Sequence, residues 1–108
     1  MSNIIMAASI TNIEIDIHFM VTNPDIIVPN FIKMFKNRKL KNITVHAETC
    51  TDIKKLSKIT RKNNIKFGLA ISPETPIKRI IKNIEYIDLA LIMTVKQGFA
   101  GQDIICLL

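Results

Sequence analysis

Strict alternation of apolar and polar residues marks the first regular segment of this 108-residue chain. In the stretch IEIDIHFMV, the apolar face carries Ile13, Ile15 and Ile17, and the other face carries Glu14, Asp16, His18 and Met20. A period of two residues is the period of a β-strand. The pattern therefore predicts a strand whose second face is unusually polar.

Three further segments have strand character, and helical patterns separate them. The predicted strands are NITVH (42–46), IKFGLAI (65–71) and IDLALIMTV (87–95). The last is almost continuously apolar, as is typical of strands that are buried on both faces. Regular alternation of strand and helix at roughly 25-residue spacing predicts a parallel α/β sheet in a single domain. The helices should lie on one side if the sheet curls, and on both sides if it stays open.

The helices are predicted from their apolar stripes and capping residues. The first runs from the TNPD turn to about residue 37, although Pro29 predicts a break or a late start. The second is TDIKKLSKITRKNN (51–64), with Thr51 or Asp52 as its cap. The third has Thr75 as N-cap and Pro76 at its first position, followed by a stripe of Ile77, Ile80, Ile81 and Ile84.

Polar and glycine residues collect where the predicted strands end. They are His18, Met20, His46, Glu48, Ser72, Thr94 and the loop GFAG at 98–101. Ligands of parallel α/β folds bind at the carboxyl ends of the strands, so this edge is the candidate functional site.

Each candidate has a functional and a structural interpretation. His18, with Asp16 two residues before it, is either a metal ligand with a nearby carboxylate or a core histidine bonded to a neighbour. His46 and Glu48 are either a ligand or acid/base pair, or a buried hydrogen-bonded pair that orients its neighbours. Met20 and Met93 are either core residues or the lining of a pocket.

The GFAG loop follows a buried strand and contains two of the three glycines of the chain. Backbone N–H groups at glycines can turn toward an anion, which suggests a phosphate cradle. Gln102, Asp103 and the residues after them are predicted to begin a helix whose N-terminus would add to it.

Composition limits the partners. The net charge of +6 is compatible with nucleic-acid binding, but aromatic residues make up only 6% and are not interleaved with the basic ones. Scattered solvated lysines are the simpler interpretation, and we expect no nucleic acid. No segment approaches the length of a membrane span or has the pattern of a signal peptide. Cys50 and Cys106 lack metal or redox spacing, and we expect a cytoplasmic protein without a membrane partner.

Five ordered blocks resemble one family. IDIHFMV, NP at 23–24, ITVHAE, GLAISPETP and IDLALIMTVKQGFAGQ are similar, in order and spacing, to ribulose-phosphate 3-epimerases over about residues 13–105. The resemblance implies a TIM barrel, of which this chain would supply about four of eight units, the third to sixth strands. Residues 1–12 match nothing we recognise, so we expect an N-terminal lead-in followed by a partial barrel domain over 13–108.

The resemblance also implies an activity and its residues. The family interconverts D-ribulose 5-phosphate and D-xylulose 5-phosphate by proton transfer at C3, using two aspartates and a divalent metal (Zn, Fe, Mn or Co). His18 would be a metal ligand beside the substrate. The substrate contacts implied are His18, Met20, Met93, Gly98, Phe99, Ala100 and Gly101.

The resemblance is incomplete in ways that change the expectation. Neither family catalytic aspartate has a counterpart, so we predict no catalytic residue, an incomplete metal site and a chain that is inactive alone. Gln97 and Ala100 replace the usual proline and glycine of the loop. The outer strands of a half barrel would lack pairing partners, which predicts association with a second copy, local rearrangement or poor solubility. A non-catalytic sugar-phosphate-binding protein and a basic nucleic-acid-binding protein are the alternatives.

Overall fold

A computed structural model describes residues 6–10, 14–94 and 104–107 of the chain. Its six strands are β1 (Met6–Ile10), β2 (Ile15–Phe19), β3 (Leu40–His46), β4 (Lys66–Ile71), β5 (Leu89–Met93) and β6 (Ile104–Leu107). Its helices are α1 (Pro24–Met34), α2 (Ile53–Lys62) and α3 (Lys78–Ile81), and a 3-10 turn spans Ile84–Tyr86. The strands form one sheet in chain order, β1-β2-β3-β4-β5-β6.

The four predicted strands are confirmed as the parallel centre of the sheet. Strands β2 to β5 pair in parallel, each with the next along the chain, and Ile17, Ile43 and Phe67 lie in register across β2, β3 and β4. Helices or turns connect these strands, as a βα repeat requires. The described part of the chain is therefore an α/β partial barrel, as the sequence predicted.

The main core lies between one face of this sheet and the helices. Ile43, Phe67 and Leu69 are fully buried there, and Val28, Ile32, Leu56 and Ile80 from the three helices belong to the same cluster. The alternate residues of the strands point to the opposite face. Helices on one side only are the arrangement predicted for a sheet that curls toward a barrel, and we call the opposite side the inner face.

Helix α1 continues through Pro29, so the predicted break or late start is wrong. The helix begins at Pro24 and runs 11 residues to Met34, with Val28 and Ile32 buried on either side of the proline. Pro29 removes one backbone donor, but the packing of both neighbouring turns in the core holds the helix together. This is the longest of the described helices, and none of them is long and apolar enough to cross a membrane.

Two carboxylates fix the start of α2. Asp52 is the N-cap, because its Oδ1 accepts a hydrogen bond from the backbone N–H of Lys55 at 3.1 Å. Asp25 of α1 accepts the backbone N–H groups of Thr51 and Asp52, each at 2.8 Å. The sequence predicted the cap but not the second interaction, which ties the beginnings of two successive helices together.

The third predicted helix is much shorter than expected. Thr75 is not its N-cap and Pro76 is not within it, because α3 begins at Lys78 and ends at Ile81. Of the predicted apolar stripe only Ile80 is buried, while Ile77, Ile81 and Ile84 are exposed. The hydroxyl of Thr75 instead donates to Glu48, which holds this segment in a turn and prevents the cap from forming.

Both ends of the described chain add strands that the sequence did not predict. Strand β1 pairs antiparallel with β2, and β6 pairs antiparallel with β5. The expected lead-in therefore contains a strand, and Ile104–Leu107 is a strand rather than the predicted helix. These strands occupy the edges that a four-stranded parallel fragment would leave unpaired.

Candidate functional site

His18 lies on the inner face near the carboxyl end of β2. It is 7% exposed, and neither of its ring nitrogens has a hydrogen-bond partner among the described residues. Strand β2 places it here because Ile17 and Phe19, its neighbours in sequence, point into the helix-facing core. The alternative that His18 is a core histidine bonded to a neighbour therefore finds no support in the described part of the chain.

The His18 ring stacks on the ring of His46. Their centroids are 4.8 Å apart and the ring planes differ by 18°. Burial lowers the pKa of His18 to about 4, and the neighbouring His46 contributes to this lowering. His18 is therefore a neutral imidazole at pH 7, with one nitrogen able to accept and the other able to donate a hydrogen bond.

Glu48 fixes the tautomer of His46. The Nδ1 of His46 lies 3.3 Å from Oε1 of Glu48. Burial lowers the pKa of His46 despite the opposing effect of this carboxylate, so the ring is neutral at pH 7. A carboxylate can only accept, so Nδ1 carries the proton and Nε2 keeps its lone pair. That Nε2 atom is buried and without a partner in the described residues.

Glu48 is itself held by the segment after β4. Its Oε2 accepts the backbone N–H of Ser72 at 2.8 Å and also the hydroxyl of Thr75. Burial alone would raise the pKa of Glu48, but these hydrogen bonds outweigh it and lower the pKa below its ordinary value. His46 and Glu48 thus form the hydrogen-bonded pair that the sequence offered as one alternative, and the turn before α3 holds Glu48 in place.

Thr44 and Gly68 are inner-face residues that the sequence analysis missed. Thr44 is buried and lies in register with His18 on one side and Gly68 on the other. A Cβ at Gly68 would overlap Oγ1 of Thr44 and come within 3.3 Å of Cβ of Leu89. Glycine is needed here because Thr44 occupies the space beside it. The alternation in NITVH, which puts Thr44 on the same face as His46, was the available signal.

The other predicted site residues are only partly brought together. Met93 ends β5 on the inner face and is 1% exposed, but β5 is three strands from β2, about 14 Å along the sheet. Met20 follows β2 and is half-buried. Gly98, Phe99, Ala100 and Gly101 lie outside the described residues. Asp16 accepts a hydrogen bond from Asn42 on the neighbouring strand, so it has a structural partner.

The described residues do not form a complete metal site. They contain no group of three or more His, Cys, Asp or Glu side chains that could hold an ion. The nearly parallel rings of His18 and His46 direct their ring nitrogens along separate planes rather than toward one ion. His18 fits the role of a single ligand, because its nitrogens are unpaired, but it has no second ligand here.

Comparisons with known proteins identify relatives of this chain. The sequence model of the Ribulose-phosphate 3 epimerase family matches residues 2–107, a range that includes most of the N-terminal segment in which we recognised no resemblance. The ribulose-phosphate 3-epimerase of Bacillus subtilis (strain 168) is 32% identical over 96 residues, 89% of this chain and 42% of that protein. That of Candida glabrata is 38% identical over 87 residues, 81% of this chain and 34% of that protein.

A third relative gives the same picture. The ribulose-phosphate 3-epimerase of Chlamydia muridarum is 35% identical over 95 residues, which is 88% of this chain and 40% of that protein. The chain thus spans about two fifths of the length of the curated relatives it matches.

Proposed function

Because this chain belongs to the ribulose-phosphate 3-epimerase family, an isomerase family, we propose that its β2–β5 sheet forms part of an active site that epimerises a pentulose 5-phosphate at C3. The reaction would interconvert D-ribulose 5-phosphate and D-xylulose 5-phosphate, a step of the pentose phosphate pathway in the cytoplasm. The observation that carries the proposal is His18, which is buried at the carboxyl edge with both ring nitrogens unpaired among the described residues.

His18 has the chemistry that a sugar-phosphate site requires. A neutral imidazole can accept a hydrogen bond from one sugar hydroxyl and donate to another, or it can give its lone pair to a divalent cation. Such a cation would supply charge stabilisation at the substrate carbonyl. The described residues complete no site for it, so we assign His18 the role of one ligand or substrate contact and route no step through a metal.

The remaining residues would shape the site. The stacked ring of His46, whose tautomer Glu48 fixes, holds His18 in its orientation. Met93 and Met20 would line the pocket over the substrate, and residues 98–101 would contact it, as the family resemblance implies. These roles, like association with a second copy to complete the site, are part of the proposal.

A second candidate is sugar-phosphate binding without catalysis. It is favoured by the state of the acidic groups on the inner face: Asp16 accepts from Asn42, and Glu48 is bound by Ser72 and Thr75 and lies beside His46. A general base must be within reach of the proton it removes, and these carboxylates are occupied by structural partners. Proton exchange separates the two candidates.

The test is deuterium incorporation at C3. The purified 108-residue chain, shown to be folded by circular dichroism, is incubated with D-ribulose 5-phosphate in D2O with and without Zn²⁺ or Mn²⁺. Saturation-transfer NMR measures binding in the same samples, and D-ribulose without phosphate is the ligand control. His18→Ala removes the proposed contact, and Lys58→Ala, an exposed residue of α2, is the matched control.

Each outcome decides between the candidates. Exchange at C3 that His18→Ala reduces at least tenfold and Lys58→Ala leaves unchanged supports the epimerase. Binding that depends on His18 and on the phosphate, without exchange, supports the non-catalytic candidate and overturns catalysis by this chain. Neither binding nor exchange from folded protein overturns both.

A further inference from the structure

A groove lies at the edge of the sheet opposite to the candidate site. It has a volume of about 1140 Å³ and is formed by the ends of α1 and α2 and by the beginnings of β3 and β4. Strand β3 separates it from His46, and seven residues of strand span about 20 Å. The described residues that line it come from two successive βα units.

The charged side chains that line this groove are positive. Among the described residues its lining includes Lys33, Lys36, Arg38, Lys41 and Lys62 and no acidic residue. All five are exposed, and none forms a salt bridge with another residue that the structure describes. Five like charges around one concavity repel one another, and they raise the local concentration of anions there.

Interaction with helix ends explains only part of this cluster. Lys33 and Lys62 lie in the last turns of α1 and α2, where cations compensate the negative end of the helix dipole. Lys36, Arg38 and Lys41 lie beyond α1, in the connection to β3 and in its second residue. These three positive charges lie outside the helix, so compensation of the helix dipole does not account for them.

The floor of the groove is apolar, in contrast to its rim. Its base is formed by three buried residues, Leu40, Ile65 and Ile32, and by the half-buried Ile59. A concave site with an apolar floor and a few charged groups is typical of small-molecule binding, and the volume is slightly above the usual range of roughly 300–1,000 Å³. A sugar monophosphate would neutralise only part of the charge and fill little of the space.

We propose that this groove binds a small ligand that carries two or three linked phosphates and an apolar portion, the chemistry of a nucleoside di- or triphosphate. The phosphates would lie against Lys36, Arg38 and Lys41, and the apolar portion on the isoleucine and leucine floor. This second site is independent of the proposed epimerase site, since the two lie at opposite edges of the sheet.

The test is isothermal titration with ATP, inorganic tripolyphosphate and D-ribulose 5-phosphate. The variant K36Q/R38Q/K41Q removes three groove charges, and K54Q/K58Q/K78Q removes three exposed charges that do not line the groove. We expect ATP to bind with one site per chain, at least tenfold more weakly in the groove variant and within twofold of the parent in the control. Unchanged melting temperatures confirm that both variants fold.

The ligand series identifies the source of the phosphates. ATP binding tighter than tripolyphosphate supports a nucleotide, and equal binding supports an inorganic polyphosphate on the same charges. Equal losses in the two variants would overturn the site, because the attraction would then belong to the net charge. Binding of single-stranded RNA that strengthens with length, without binding of ATP, would overturn it in favour of an extended nucleic-acid surface.

Discussion

On the helix-facing side of the sheet, Ile43, Phe67 and Leu69 are buried within one apolar cluster, whereas on the inner face His18, Thr44 and His46 are also buried but carry polar atoms. Three imidazole nitrogens on that face have no hydrogen-bond partner in the described residues. Burial of the first kind stabilises the fold, and burial of the second kind costs free energy. This difference is the reason why we propose the inner face, and not the helix-facing side, as the binding side of the sheet.

The largest effect should come from the helix-facing core. Phe67→Ala deletes a side chain that is 0% exposed, and we expect the free energy of unfolding to fall by about 3–5 kcal/mol. His18→Leu, a change at a buried position of the inner face, should leave stability unchanged or raise it, because it removes two unpaired nitrogens. Urea unfolding of both variants measures this, and a similar loss in both would contradict the contrast between the faces.

The second prediction concerns the loss of stability at low pH that the buried His18 should cause. The pKa of His18 is lowered from 6.5 to about 4 in the folded chain, so between these values the unfolded chain binds a proton that the folded chain does not. The free energy of unfolding should therefore have its full value above pH 6.5. It should fall as the pH decreases, by about 3 kcal/mol once the pH reaches 4. Unfolding is measured across this range with a chelator present.

His18→Leu is the control for this pH dependence. This variant should still lose some stability as the pH falls, because burial also lowers the pKa of His46. The slope between pH 4 and 6.5 should nevertheless be clearly smaller than in the parent chain. An identical slope would mean that His18 titrates at an ordinary pKa and is not buried as described.

The third prediction concerns the close approach of Gly68 and Thr44. Gly68→Ala should cost about 1–3 kcal/mol, since its Cβ would overlap the Thr44 hydroxyl. In a Thr44→Ala background the same change should cost much less, because only the Cβ at position 44, at 3.2 Å, and Leu89 remain. Thermal unfolding of the double-mutant cycle measures the coupling. Additive effects would show that the two residues do not compete for space.

The smallest effect is expected at the Glu48 carboxylate. Thr75→Val removes the hydroxyl that Glu48 accepts, which should cost about 1 kcal/mol and raise the pKa of Glu48 toward its ordinary value. Ser72→Ala is the matched control, because Ser72 donates through its backbone N–H. Carboxyl chemical shifts followed by NMR titration report the pKa. If the pKa of Glu48 changed in Ser72→Ala but not in Thr75→Val, the Thr75 hydroxyl would not be the group that lowers it, and the prediction would be wrong.

Local patterns in the sequence were sufficient for the centre of the fold. The four parallel strands were predicted correctly, and Asp52 is one of the two residues predicted as the cap of α2, because alternation and capping are local signals. The long third helix was wrong because Thr75 bonds to Glu48, 27 residues away, and no local pattern records such a partner. The continuous helix through Pro29 depends in the same way on tertiary packing of Val28 and Ile32.

Prediction of the site had a similar limit. His18, His46 and Glu48 could be singled out as candidates because polar residues on an otherwise apolar strand end are visible in the sequence. The stacking of the two rings and the contact of Thr44 with Gly68 depend on the register of neighbouring strands, which alternation alone does not fix. The interaction of Asp25 with the start of α2 was missed because it joins residues that are 26 and 27 positions apart in the sequence.

The antiparallel strands β1 and β6 have a consequence for how a barrel could be completed. Any second half that joins β2 and β5 must displace β1 and β6 from them, one backbone hydrogen bond after another. Completion would therefore be a strand exchange, in which the β1–β2 and β5–β6 pairings must be broken first, rather than the docking of open edges. The same two strands protect the edges of β2 and β5 from uncontrolled pairing with the sheets of other molecules.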